Sequence, residues 1–148
     1  MKLQGTQTIN APREKVFVML QDPEILRLAA PGVQSMEKES EDTYKTSLEL
    51  GIGPVRGVFD GSIVIVEKEE PELLVLSVEG QGGPGGVKAV GRLRLEEEGD
   101  KTVIHWEGDP QMSGRIAAVG TRLIGGVAKK LAGQFFTIVD ERAQTYEV

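Results

Sequence analysis

Residues 116–139, IAAVGTRLIGGVAKKLAGQFFTIV, carry apolar side chains at Ile116, Val119, Leu123, Val127, Leu131, Phe135 and Ile138. Steps of three or four residues put these positions on one stripe of an α-helix. Arg115, Arg122 and Lys129 recur every seven residues on another side. The spacing predicts a helix from Gly114 to about Tyr146, long enough to cross most of whatever it packs on. Gly120, Gly125, Gly126 and Gly133 fall inside it, each costing on the order of 1 kcal/mol relative to alanine. A close backbone approach would account for them, and so would a bend, with a break near Gly125-Gly126 as one outcome.

Towards the N-terminus the period drops to two. Tyr44, Thr46, Leu48 and Leu50 alternate with Lys45, Ser47 and Glu49, and Phe59, Gly61, Ile63 and Ile65 with Asp60 and Ser62. Leu74, Leu76 and Val78 oppose Ser77 and Glu79; Val87, Ala89, Gly91, Leu93 and Leu95 oppose Lys88, Arg92 and Arg94; Thr102, Ile104 and Trp106 oppose Val103, His105 and Glu107. With a less marked strand from Val33 to about Lys38, residues 33–109 read as six strands joined by hairpins. A further strand covers residues 2–9, with Leu3, Gly5, Gln7 and Ile9 on one face. Pro12 suits a first helical position, so a short helix with Val16, Phe17 and Leu20 inward follows, ending near Asp22-Pro23. A second, with Ile25, Leu26 and Leu28 inward, ends at Pro31-Gly32.

One apolar and one polar face mark an antiparallel sheet wetted on one side, and the long helix has the stripe to cover the other. The expected class is α+β: a seven-stranded curved antiparallel sheet around a long C-terminal helix, with two short helices after the first strand. Residues 1–148 suffice for a single domain of this kind.

Bulk properties narrow the function. The chain has no cysteine, which removes disulfides and thiolate metal sites and fits a reducing, cytoplasmic setting. Its net charge of −6 argues against a nucleic-acid partner. The charge is uneven, however: residues 112–148 hold five Lys/Arg against three Asp/Glu. A basic helix face on an acidic body either is simply solvated or orients the protein towards an anionic surface. The N-terminus alternates in polarity and does not read as a signal peptide, and no run approaches the roughly 18 to 20 apolar residues of a membrane span.

The inward positions include Gly5, Gly57, Gly61, Ala89 and Gly91, and the whole chain has only seven aromatic residues (one Trp, two Tyr, four Phe). Small inward residues favour a void that accepts an apolar ligand; alternatively the glycines serve sheet curvature and bulges. The expected lining is Gln7, Tyr44, Thr46, Leu48, Phe59, Gly61, Ile63, Leu76, Ala89, Gly91, Leu93, Trp106, Val119, Leu123 and Val127. Gln7, Tyr44, Thr46 and Thr102 are the inward polar groups, suited to orienting a ligand by hydrogen bonding.

Signals for catalysis are sparse. The run Gly80-Gln81-Gly82-Gly83-Pro84-Gly85-Gly86 lacks the Lys-Ser/Thr and the following helix of a phosphate loop, and reads as a flexible hairpin at a cavity rim. The single histidine, His105, falls on the outward face, without cysteine or a second histidine to build a metal site. No catalytic residue, metal or cofactor is expected. Asp60 and Asp109, with Tyr44, are the groups a small cyclase or hydrolase would have to use as acid or base.

Several local motifs converge on one family. They are Ala11-Pro12-Arg13-Glu14-Lys15-Val16-Phe17, Asp22-Pro23-Glu24 with Pro31-Gly32, Gly57-Val58-Phe59-Asp60-Gly61, the glycine-rich run 80–86, and Gly114-Arg115-Ile116-Ala117-Ala118-Val119-Gly120. Over nearly its whole length the chain resembles the CoxG family of carbon monoxide dehydrogenase subunits, within the START-like (SRPBCC, helix-grip) superfamily. The resemblance implies a hydrophobic cavity between sheet and C-terminal helix. It further implies an accessory role, linking a molybdenum-dependent carbon monoxide dehydrogenase or related oxidoreductase to the membrane or to a lipophilic electron carrier. Many members carry a C-terminal extension that serves as an anchor. Residues after the predicted helix are too few for one here, so the expected membrane contact is peripheral, at its inner face through the basic helix side. The expectation that follows is a non-enzymatic binder of a hydrophobic, quinone- or lipid-like molecule, with the dehydrogenase subunits as partners. The competing readings are a small START-like enzyme and a ligand-free assembly factor.

Overall fold

Alternation in the sequence becomes a single sheet in the computed structural model, which describes residues 1–148. Strand β1 (Leu3–Ile9) leads into helices α1 (Arg13–Met19) and α2 (Pro23–Ala29). Strands β2 (Val33–Ser40), β3 (Thr43–Ile52), β4 (Val55–Glu69), β5 (Leu73–Gly82), β6 (Gly85–Glu98) and β7 (Lys101–Gly108) follow as successive hairpins. The sheet runs β1-β7-β6-β5-β4-β3-β2, antiparallel throughout. A short eighth strand, β8 (Gln111–Ser113), pairs with β6 and adds to the seven expected. Three residues are too few for alternation to register.

Register confirms the inward set. Thr46, Gly61, Gly80 and Val87 share one cross-strand row, Tyr44, Ile63, Val78 and Ala89 the next, and Leu74, Leu93, Trp106 and Gly5 another. A bulge between Ile65 and Glu67 interrupts the β4–β5 ladder and helps the sheet curl.

The C-terminal segment divides differently from its expected span. Gly114–Val119 is a 3-10 turn, and the α-helix proper, α3, runs Thr121–Ala143 without interruption through Gly125-Gly126. The break falls at Gly120, whose φ of +93° is a conformation that side-chain-bearing residues rarely adopt. Helix α3 lies between the two ends of the curled sheet, close to β1 and β3, with α1 and α2 against its C-terminal half.

The short helices are fixed by local chemistry. Asp22 caps α2 by accepting from the Glu24 N–H at 2.9 Å, and Pro23 occupies the first turn, where its missing N–H costs nothing. Helix α1 begins at Arg13, with Pro12 just outside as its cap. Polar contacts then lock α3 onto this end. Asp140 accepts from the Asn10 N–H at 2.7 Å, and the Lys15 ammonium donates to the Ala143 carbonyl at 2.8 Å, a cation at the negative end of the helix. Tyr146 donates to Asp22 at 2.7 Å.

The Tyr146–Asp22 bond has a consequence for titration. Burial, then the hydrogen bond to Asp22 and its charge, pushes the Tyr146 phenol up to about 12. Burial also raises Tyr44, with the Asp42 carboxylate adding to it. Tyr146 is thus held neutral at pH 10, where an unperturbed phenol is about half ionised, and Tyr44 ionises later than an unperturbed phenol. A raised folded-state pKa stabilises the fold fully below about pH 10, and the contribution is lost as pH rises through the folded value. Near-ultraviolet titration is expected to show a tyrosinate step near pH 12, from Tyr146. Tyr146→Phe should remove that step and leave only the Tyr44 one.

Candidate functional site

Two separate buried clusters form between the sheet and α3. The larger joins Ile9, Phe17, Tyr44, Leu74, Leu95, Ile104, Phe136 and Val139 at the end closed by α1 and α2. The smaller contains Ile52, Phe59, Ile116 and Ile124 at the opposite end. Leu48, Ile63, Leu76, Val78, Ala89 and Leu93 lie on the inner face of the sheet but are only half-buried, and Ile63, Leu76 and Leu93 border the larger core. Val127, Leu131 and Phe135 on α3 are half-buried too. A belt of apolar side chains between two closed cores is therefore open to water, the condition an apolar ligand relieves.

The inward glycines divide into two groups. A Cβ on Gly5 would fall 2.7 Å from the Trp106 ring, one on Gly57 2.5 Å from the Pro84 ring, and one on Gly61 would overlap the Glu79 carbonyl oxygen. These three accommodate neighbours and sheet curvature rather than a ligand. Gly91 differs: an added Cβ there would meet only the Glu107 carbonyl oxygen, at 3.6 Å. Gly80 and Gly108 likewise meet a single neighbouring-strand atom each, at 3.9 Å. At these three positions a small side chain would meet no clash. Pro84 is also fully buried, so the glycine-rich turn folds inward onto Gly57 instead of forming a loose rim. Gly5→Ala is expected to displace Trp106 and lower stability by about 1–3 kcal/mol in a denaturant titration.

Clefts flank α3 on both sides. One of about 250 Å³ is bounded by Pro31, Gly32, Leu50, Val127, Leu131, Lys130 and Gln134, among others, and joins the helix side of the belt to solvent. The other, about 470 Å³, lies between Gln7 and the Lys129–Ile138 stretch. Two further depressions occur on the outer face of the sheet, one of about 430 Å³ around Ser47, Asp60, Glu79 and Gln81, another of about 530 Å³ around Arg92, Arg94, His105 and Glu107. Their polar walls do not suit an apolar molecule.

Several expected lining residues take other roles. Tyr44 is buried, and its hydroxyl donates to the Gln21 carbonyl at 2.5 Å; Thr46 donates to the Ser35 carbonyl at 2.9 Å and Thr102 to the Ala11 carbonyl at 2.8 Å. Of the four inward polar residues only Gln7 is left without a hydrogen-bonded partner in the chain. Leu123 is corrected outright: it is 40% exposed, beside Gly53, while its neighbour Ile124 is buried. Four-residue steps drift by about 40° each round a helix of 3.6 residues per turn, so the row Phe135, Leu131, Val127 has left the inward face by Leu123, and Ile124 takes its place. Phe59 closes the small core, and Val119 packs against it. Leu48, Ile63, Leu76, Ala89, Gly91, Leu93 and Val127 border the belt, with Trp106 at its edge. Leu131, Phe135 and Gly80 also border it; the helical stripe already contained the first two.

The groups a cyclase would need lie elsewhere. Asp60 is exposed on the outer face, opposite Ser47 and Gln81. Asp109 pairs with the N-terminal ammonium at 3.1 Å. His105 faces outward as expected and bonds Glu96 at 3.0 Å, which holds that carboxyl below the usual carboxylate range.

Comparison with known proteins agrees with this architecture. The family model for the CoxG subunit of carbon monoxide dehydrogenase matches residues 5–144. The chain is similar to the crystal structure of a conserved protein from Geobacillus kaustophilus, at 33% identity and a TM-score of 0.92, covering 97% of this chain and 95% of that one. A START superfamily protein from Mycobacterium smegmatis aligns at 15% identity and a TM-score of 0.74, covering 97% of each chain. The Zhui aromatase/cyclase from Streptomyces sp. R1128 aligns at 14% identity and a TM-score of 0.67, covering 97% of this chain and 93% of that one. The last two likenesses speak to the START-like fold alone. No curated protein matches the chain.

Proposed function

The chain belongs to the CoxG family of carbon monoxide dehydrogenase subunits, and from that premise we propose that it is a non-catalytic carrier of a hydrophobic, quinone- or lipid-like molecule. In this reading it serves a carbon monoxide dehydrogenase-type molybdenum oxidoreductase as an accessory. The observation that carries the proposal is the half-buried apolar belt between the two cores, reached past α3. Apolar side chains held open to water forgo about 25 cal/mol per Å² of burial, and a bound apolar molecule recovers it.

Charge supports an approach to an anionic surface. From Gln111 to Val139 there is no Asp or Glu, while Arg115, Arg122, Lys129 and Lys130 are all exposed. Lys130 borders both clefts beside α3, so the entrance and the basic face coincide. A membrane carrying anionic lipid attracts such a face, each cation contributing on the order of 1 kcal/mol near the surface. No helix is long and apolar enough to cross a membrane; the contact proposed is peripheral and reversible.

Native mass spectrometry of gently purified protein, followed by organic extraction, tests the carrier reading. The expected result is a retained apolar mass that extraction removes and a quinone or lipid replaces. Protein that carries nothing and takes up neither would overturn it.

A further inference from the structure

Two buried side-chain nitrogens have no hydrogen-bond partner, Arg13 Nε and Trp106 Nε1. The remaining nitrogens of Arg13 are engaged, by the Leu95 carbonyl at 3.4 Å and by Glu72 and Glu97 at 3.7 and 3.8 Å. Trp106 has no second nitrogen to satisfy. A buried donor left without an acceptor is costly and uncommon.

Position makes this donor informative. Register sets Trp106 between Gly5 on β1 and Leu93 on β6, on the inner face. Its pyrrole edge rests over Gly5, since a Cβ there would lie 2.7–2.9 Å from Cζ2, Cε2 and Nε1. The ring packs against the larger core yet the residue remains half-buried, at the edge of the open belt. Gln7, two residues from Gly5 on the same face of β1, has no hydrogen-bonded partner in the chain and borders the cleft beside Lys129 and Lys130. Around Trp106 the inward positions of β1, of β7 and of β6 from Val87 to Leu95 lack a charge, so an anion placed at Nε1 would be buried with no cation on these strands beside it.

We propose that Trp106 Nε1–H donates to a neutral carbonyl oxygen on the molecule held in the belt, with the Gln7 amide as the adjacent second donor. The proposal rests on the carrier reading and narrows it: the cargo is an apolar body bearing a ketone- or ester-type oxygen, not a bare hydrocarbon. Trp106 positions and selects this cargo, and a small movement of the indole towards the belt completes the bond.

Trp106 is the only tryptophan, so its indole N–H gives a single resonance in a proton–nitrogen correlation spectrum. Benzophenone and diphenylmethane form a matched probe pair, differing by a carbonyl in place of a methylene. Both are expected to shift the methyl resonances of Ile63, Leu93 and Leu131. Benzophenone alone should move the indole proton downfield and slow its exchange, and should bind about fivefold tighter, the worth of one net hydrogen bond. Trp106→Phe should erase that preference while keeping diphenylmethane affinity within about twofold. If both probes move the methyls but leave the indole unmoved or shift it equally, the donor assignment is wrong and the carrier reading stands. If neither probe moves the methyls, both fall. The spectrum of the unaltered chain decides the matter even where the variant folds poorly.

Discussion

Gly91→Leu is expected to weaken binding of diphenylmethane by at least about tenfold, or 1.4 kcal/mol, without lowering the melting temperature. Glycine in a strand interior is a cost to the fold, through the backbone entropy it loses and the packing it forgoes. At Gly91 a new Cβ meets only an ordinary contact with the Glu107 carbonyl oxygen. The leucine therefore has room to grow into the belt beside Leu76 and Leu93, burying its own apolar surface where the cargo would sit. Calorimetric melting and a binding isotherm on the same preparation separate the two effects. Gly61→Leu supplies the contrast, since its Cβ would overlap the Glu79 carbonyl oxygen and must distort the sheet. A large drop in melting temperature for the Gly91 variant would mean that the space over it is already occupied.

Phe136→Ala is expected to have the opposite profile, costing about 3–5 kcal/mol of stability and lowering the melting temperature by about 10 °C. Phe136 is 4% exposed in the larger core, and its ring meets Phe135 edge to face at 5.1 Å and 85°. Truncation there leaves a cavity that the closed core cannot collapse around. Leu131 is five residues earlier on α3 but faces the open belt, so Leu131→Ala should cost only about 1 kcal/mol, because the space it vacates was not sealed. Denaturant titration of both variants measures the difference. Equal costs at the two positions would indicate one continuous packed core.

Inward faces of the long strands are readable from alternation because each has water on one side and the helix on the other. Side-chain partnerships across the fold are not. Nothing local reveals that the Tyr44 hydroxyl finds a carbonyl at the end of α1, or that Thr102 finds Ala11, ninety-one residues away. Those bonds turn two expected ligand-orienting groups into structural ones. Gly5 and Gly57 are visible as small and inward, but only register identifies Trp106 as the neighbour of one, and only the fold of the glycine-rich turn brings Pro84 to the other. On the helix stripe Val127, Leu131 and Phe135 are half-buried while Leu123 is exposed, since four-residue steps drift by about 40° each round a helix of 3.6 residues per turn. The apolar belt is accessible as a pattern of residue types; its separation from the two cores depends on how tightly each end closes.

Xenon, which enters apolar cavities and little else, tests that separation most directly. In crystals of the chain under xenon pressure, one or more atoms should refine between Ile63, Leu93 and Leu131, in the region over Gly91. Xenon found only on the outside of the molecule, with those side chains in mutual contact, would contradict the account.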